Sequence, residues 1–136
     1  GREADADVLQ ELAALPDVPL WDALEGCRAR LVLDEIAPSR YQFLHDQLRE
    51  ACYAGLRARE RRRMHRGAAT ALASRARSED AYADVGRHLE RAGAPARARP
   101  GYLRAARDAA ARFAHELSED LYRAYLRVSP RATACR

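Results

Sequence analysis

The sequence predicts a mainly α-helical fold interrupted once by a small β-hairpin. Two observations carry this expectation. Apolar residues recur at three- and four-residue spacing along most of the chain, and the period falls to two only between Leu31 and Phe43. The punctuation agrees, because Pro16, Ala37-Pro38-Ser39, Ser78 to Asp80, Gly93 and Pro130 all fall between periodic stretches.

Taken in order, Val8, Leu12 and Leu15 mark a short first helix that stops at Pro16. Asp17 opens a second helix, whose inner face carries Leu20, Leu24, Cys27 and Leu31 with Trp21 packing beside them; it is expected to fray near Arg30. Leu31 and Leu33 then alternate with polar neighbours, as do Tyr41 and Phe43 after the turn, giving a hairpin with residues 37 to 40 at its tip. Two helices, a hairpin and a following helix is the element order of a winged-helix domain. After His45, the residues Leu48, Cys52, Gly55 and Leu56 return to helical spacing, with Asp46 as the expected N-cap.

A connecting helix is expected over 57–78, with a thin apolar stripe of Met64, Ala68, Ala71 and Leu72. Helix pairs follow. Tyr82, Val85 and Leu89 line one helix that ends at Gly93; Leu103, Ala106, Ala110 and Phe113 line its partner; Leu117, Leu121, Tyr125 and Val128 line a third. Pro100 is expected in the first turn of the middle helix, with the start near Arg99, because an internal proline costs about 3 kcal/mol. Alanine at the contact positions lets antiparallel helices approach closely, as in helical repeat arrays. The expected organisation is therefore a winged-helix domain at 1–56, a connecting helix at 57–78, and the start of tetratricopeptide-like (TPR-like) repeats at 79–136.

Composition narrows the chemistry. All 24 basic residues are arginine, so a phosphate loop ending in Gly-Lys-Ser/Thr and any Schiff base are excluded within this chain. Residues 1–50 hold 5 Arg against 11 Asp and Glu, net −6, whereas 51–136 hold 19 against 9, net +10. The two parts are expected to differ in their surroundings or partners. Cys27, Cys52 and Cys135 show no paired spacing of a zinc or redox motif, and two of them are expected to help fill cores. His45, His65, His88 and His115 lie 20, 23 and 27 positions apart, so no local metal-ligand pair exists. No metal site and no catalytic motif is expected. With no apolar run of 18 residues and no leader pattern, the chain is expected to be cytoplasmic and to have no membrane partner. Its start at Gly1, followed by polar residues, leads us to expect a piece of a longer protein.

The segment "YQFLHDQLREACYAGLRARERRRMHRGAATAL", with "LQELAALPDVPLWDALEGCRARLVLDE" before it, resembles the winged-helix portion of bacterial STAND-class regulatory ATPases. In that class the winged helix joins an AAA-type nucleotide-binding domain to tetratricopeptide-like repeats, and "GRHLERAGAPARARPGYLRAARDAAARFAHELSEDLYRAYLRV" looks like the start of such repeats. The resemblance covers nearly the whole chain after about residue 7. Leu44-His45-Asp46 sits where related switches carry Met-His-Asp, whose histidine holds the β-phosphate of ADP in the resting state.

The resemblance implies a non-catalytic switch fragment with no cofactor of its own. ADP or ATP is implied through an absent upstream nucleotide-binding domain, and a protein partner or inducer on the repeats. His45 is the candidate nucleotide-phosphate sensor, with Asp46 and Arg49 in support. From the residues alone, His45 is either that contact, beside a helix N-terminus that favours anions, or a half-buried histidine bonded to a nearby carbonyl. The alternatives are a small helical adaptor or a DNA-binding protein, the latter using its winged helix or a basic surface of Arg57, Arg59, Arg61, Arg62, Arg63 and Arg66. Glu60 within that run and the acidic first part weigh against DNA.

Overall fold

The computed structural model describes residues 3–13, 17–76 and 78–129. The expectations for Leu15, Pro16, Pro130 and Cys135 lie outside them. The protein is mainly helical, with seven helices and one three-stranded antiparallel sheet among the described residues. It divides into two compact units, Gly1–Arg61 and Arg62–Arg136.

In the first unit the order is β1 (Glu3–Asp5), α1 (Ala6–Ala13), α2 (Asp17–Ala29), β2 (Leu33–Ala37), β3 (Arg40–Phe43) and α3 (Asp46–Gly55). The expected hairpin is β2–β3, paired from Leu33 opposite Phe43 to Ala37 opposite Arg40. Its turn is held by the Ser39 N–H, which donates to Glu35 Oε1 at 3.0 Å. A third strand was not foreseen: β1 pairs with β3 through Glu3–Gln42, Ala4–Tyr41 and Asp5–Arg40. Three polar-flanked residues carry no period. The Arg40 guanidinium, 3.4 Å from Asp5 and 3.8 Å from Glu3, supplies what patterning could not show. The core beneath the sheet is Ala6, Leu20, Leu24 and Tyr41, with Leu9 and Leu33 against it.

Several side chains depart from their expected places. Trp21 is 45% exposed and does not pack the core, and Cys52 is exposed while Cys27 is half-buried. Leu31 leaves the α2 stripe because it has left the helix. Its φ is +57°, its N–H bonds the Arg28 carbonyl at 2.9 Å, and the Val32 N–H bonds the Cys27 carbonyl at 2.9 Å. These two bonds make a Schellman ending, which satisfies carbonyls of the last turn and turns Leu31 outward.

Helix α4 (Ala58–Ala73) is shorter than expected, and its buried face is His65, Ala68, Ala69 and Ala71, with Met64 exposed. It is followed by α5 (Glu79–Arg91), α6 (Pro95–Ala111) and α7 (His115–Arg127). Ser78 caps α5 by accepting from the Ala81 N–H. Gly93 (φ +78°) and Phe113 (φ +61°) end α5 and α6 by the same Schellman bonds as α2. That geometry puts Phe113 80% exposed, off the stripe expected for it, and Ala110 is exposed as well.

Pro100 is not in the first turn: α6 starts at Pro95, a favourable place for proline, and Pro100 lies inside the helix. There it has no N–H for the Ala96 carbonyl. The residue after it packs closely against α5. A Cβ on Gly101 would stand 2.8 Å from the Tyr82 carbonyl oxygen, and one on Gly86 would stand 3.0 Å from the Tyr102 ring. The core of this unit joins Ala69, Ala83, Leu89, Ala98, Tyr102, Ala105, Ala106, Ala109, Leu121, Ala124 and Val128.

Candidate functional site

His45 ends the β3 connection and opens α3. Strand β3 stops at Phe43, so the alternation that would have set His45 beside Tyr41 does not reach it. His45 itself is the N-cap, with φ −130° and ψ 130°, no side-chain capping bond and an exposed ring. Asp46, expected as the cap, is instead the first helical residue. Its carboxylate lies 3.5 Å from Arg49 Nε, and Arg49 Nη2 lies 3.6 Å from Glu50. Asp46 therefore complements the positive end of the helix dipole and restrains Arg49, so an anion brought to His45 meets one carboxylate already in place.

Helix α3 has no buried residue, and Leu44, Leu48 and Tyr53 are all exposed. Ten residues are too few for a helix to be stable in water by propensity alone. Leu44 also lines a shallow hollow of about 380 Å³ with Leu31 and Leu33, rimmed by Glu25, Arg28 and Asp34.

Of the six arginines expected as a basic surface, Arg57, Arg59, Arg62, Arg63 and Arg66 are exposed and Arg61 is half-buried. Arg57 gives its backbone N–H to Glu60 Oε2 at 2.7 Å, so Glu60 caps α4 from its third residue and is spent there. Arg61 is half-buried, its guanidinium 5.4 Å from the Tyr53 ring centroid. Arg59, Arg62, Arg63 and Arg66 remain, exposed, at i, i+3, i+4 and i+7 on one face of α4, and none makes an ion pair among the described residues.

Two features escaped the sequence reading because each is made by residues far apart in the chain. The first is a pair of imidazoles from α4 and α5: His65 Nδ1 and His88 Nδ1 lie 3.0 Å apart. Burial pushes the His88 imidazole down to about 4, with the neighbouring His65 adding to the effect. Burial and then Arg91 lower His65 as well. No group of three His, Cys, Asp or Glu side chains fit to hold a metal ion occurs among the described residues.

The second is a network on Glu90. Tyr102 is buried, with its hydroxyl donating to Glu90 Oε2 at 2.7 Å. Arg127 adds Nε and Nη2 at 3.0 Å each. Burial and the Glu90 bond push the Tyr102 phenol up to about 12. Arg87 and Arg91 complete an open hollow of about 460 Å³ around these groups.

No described helix is long and apolar enough to cross a membrane. Comparison with protein-family models, with curated proteins and with solved structures gives no match to this chain.

Proposed function

We propose that this chain is a non-catalytic switch element of a STAND-type signalling ATPase in the cytoplasm. Its first unit docks on an upstream nucleotide-binding domain in the ADP-bound resting state, and its helical repeats receive a protein partner or inducer. The observation that carries this reading is α3, an amphipathic helix that opens at His45 and buries none of its own residues. A covering surface on another domain would stabilise it through Leu44, Leu48 and Tyr53, each worth up to about 1.5–3 kcal/mol if fully buried. His45 then contacts the β-phosphate of ADP only in the closed state, which is the unequal binding a two-state switch requires. In the intact parent protein, His45→Ala is expected to speed ADP release about tenfold. Unchanged ADP retention would overturn the reading.

A second reading rests on the arginine face of α4, which has no acidic partner among the described residues. Four guanidiniums in a row suit the phosphate backbone of a duplex, and such binding weakens steeply with salt. Anisotropy of a labelled duplex with wild type and with Arg62→Ala/Arg63→Ala/Arg66→Ala tests it. Equal affinity for both proteins at low salt removes the arginine face from consideration.

A further inference from the structure

The His65–His88 contact links α4 to α5 through two rings whose centroids are 5.1 Å apart and whose planes are tilted by 50°. At 3.0 Å the two Nδ1 atoms are at hydrogen-bond distance, and that needs one N–H and one lone pair. A metal pair is not the better account, since no third ligand completes a cluster among the described residues. The rest of the buried face of α4 is three methyl groups, those of Ala68, Ala69 and Ala71. Alanine buries little apolar area, so the imidazole contact adds a polar link to a thin apolar face.

We propose that the His65–His88 pair is an acid-sensitive latch, closed over α4 while the rings share one Nδ1 proton and opened when both are fully protonated. One added proton on the outer nitrogen of the donor ring leaves the N–H···N bond in place. A second must occupy the accepting Nδ1, and then two N–H groups and two positive charges face each other at 3.0 Å. Asp84 and Arg91 of α5 also act on the pair, Asp84 favouring protonation of His88 and Arg91 opposing that of both rings.

The direction of the pH effect follows. An unfolded histidine takes its proton near 6.5, whereas folded His88 does so near 4 because of burial and then His65. The unfolded chain therefore binds more protons between these values. The latch contributes fully above about 6.5 and is lost as pH falls toward about 4. This inference stands apart from the nucleotide-switch reading, because both histidines and the whole of α5 belong to the unit Arg62–Arg136.

The test uses the full chain. NMR titration of the four histidine rings is expected to give His88 an apparent pKa below about 5, moving together with His65. Amide exchange, corrected for its intrinsic pH dependence, is expected to speed at least tenfold in α4 relative to α6 between pH 7 and pH 4.5. His88→Gln, which hydrogen-bonds without charging, is expected to abolish that selective loosening. Ordinary titration of both rings near 6.5 would overturn the latch even if the variant failed to fold. So would parallel loosening of α4 and α6 in the wild type, or selective loosening that persists in His88→Gln.

Discussion

Tyr102 Oη and Glu90 Oε2 are 2.7 Å apart, and the same carboxylate holds Arg127 in a two-pronged contact, so α5, α6 and α7 meet on one anion. Tyr102→Phe keeps the buried ring and removes only the bond to the carboxylate. The expected loss is about 1–2 kcal/mol, as for a hydrogen bond to a charged group. Urea unfolding checks it: the midpoint should fall with the slope unchanged, and an unshifted midpoint would show the bond contributes nothing.

Glu90 also makes part of the acid stability. The Arg127 hydrogen bond, followed by that of Tyr102, holds its carboxyl below the ordinary value despite partial burial. Its contribution is complete above the unfolded carboxylate pKa, near 4.3, and is lost as pH falls through the lower folded value. Melting temperatures of wild type and Glu90→Gln should differ at pH 6, and the difference should shrink as pH falls below the unfolded value of about 4.3. A constant difference across that range would refute the assignment.

Gly101 meets backbone, not a flexible side chain, where α6 packs against α5. Gly101→Ala is expected to cost about 1–3 kcal/mol, as overpacking does, despite the better helix propensity of alanine. Gly86→Ala should cost less if the Tyr102 ring can shift. Equal or increased stability of Gly101→Ala by calorimetry would mean the helices separate at no cost.

Phe113 and Leu31 hold the left-handed conformation at helix ends where glycine is the usual residue. Phe113→Gly should stabilise the second unit by about 0.5–1 kcal/mol, because the exposed ring contributes little packing. Leu31→Gly should act likewise in the first. A lowered thermal midpoint for Phe113→Gly would show that the edge contact of its ring with His115, at 6.3 Å, matters more than the backbone strain.

Leu48 is exposed on α3, so Leu48→Asp is expected to change the stability of this chain by no more than about 0.5 kcal/mol. On the proposed docking of the first unit, the same change should weaken that docking in the parent protein, and undiminished ADP retention there would count against it. Circular dichroism of the chain and ADP retention by the parent separate the two effects.

Helix α5 was legible residue by residue: Ser78 starts it, Tyr82, Val85 and Leu89 line it, and Gly93 ends it. Each of those signals is local, a cap, a period or a positive φ, and needs no distant partner. The β2–β3 hairpin was legible for the same reason. Strand β1 was not, since Glu3–Asp5 is a strand only because β3 offers it hydrogen bonds. Trp21 looked like core by residue type, yet α2 turns Leu20 and Leu24 inward and leaves it outside. Pro100 read as a helix start because propensity disfavours it inside, and tertiary packing at Gly101 overrode that preference.

The candidate site divides along the same line. Local chemistry put His45 at a strand-to-helix junction and α4 among arginines, and both are where the pattern set them. Tertiary packing alone decided that His65 meets His88, 23 positions away, and that Glu90 gathers Tyr102 and Arg127. Periodicity tells which face of a helix turns inward. It carries no information on which residue of another helix waits there, because that depends on how helices cross, and here on two glycines that let α5 and α6 close up.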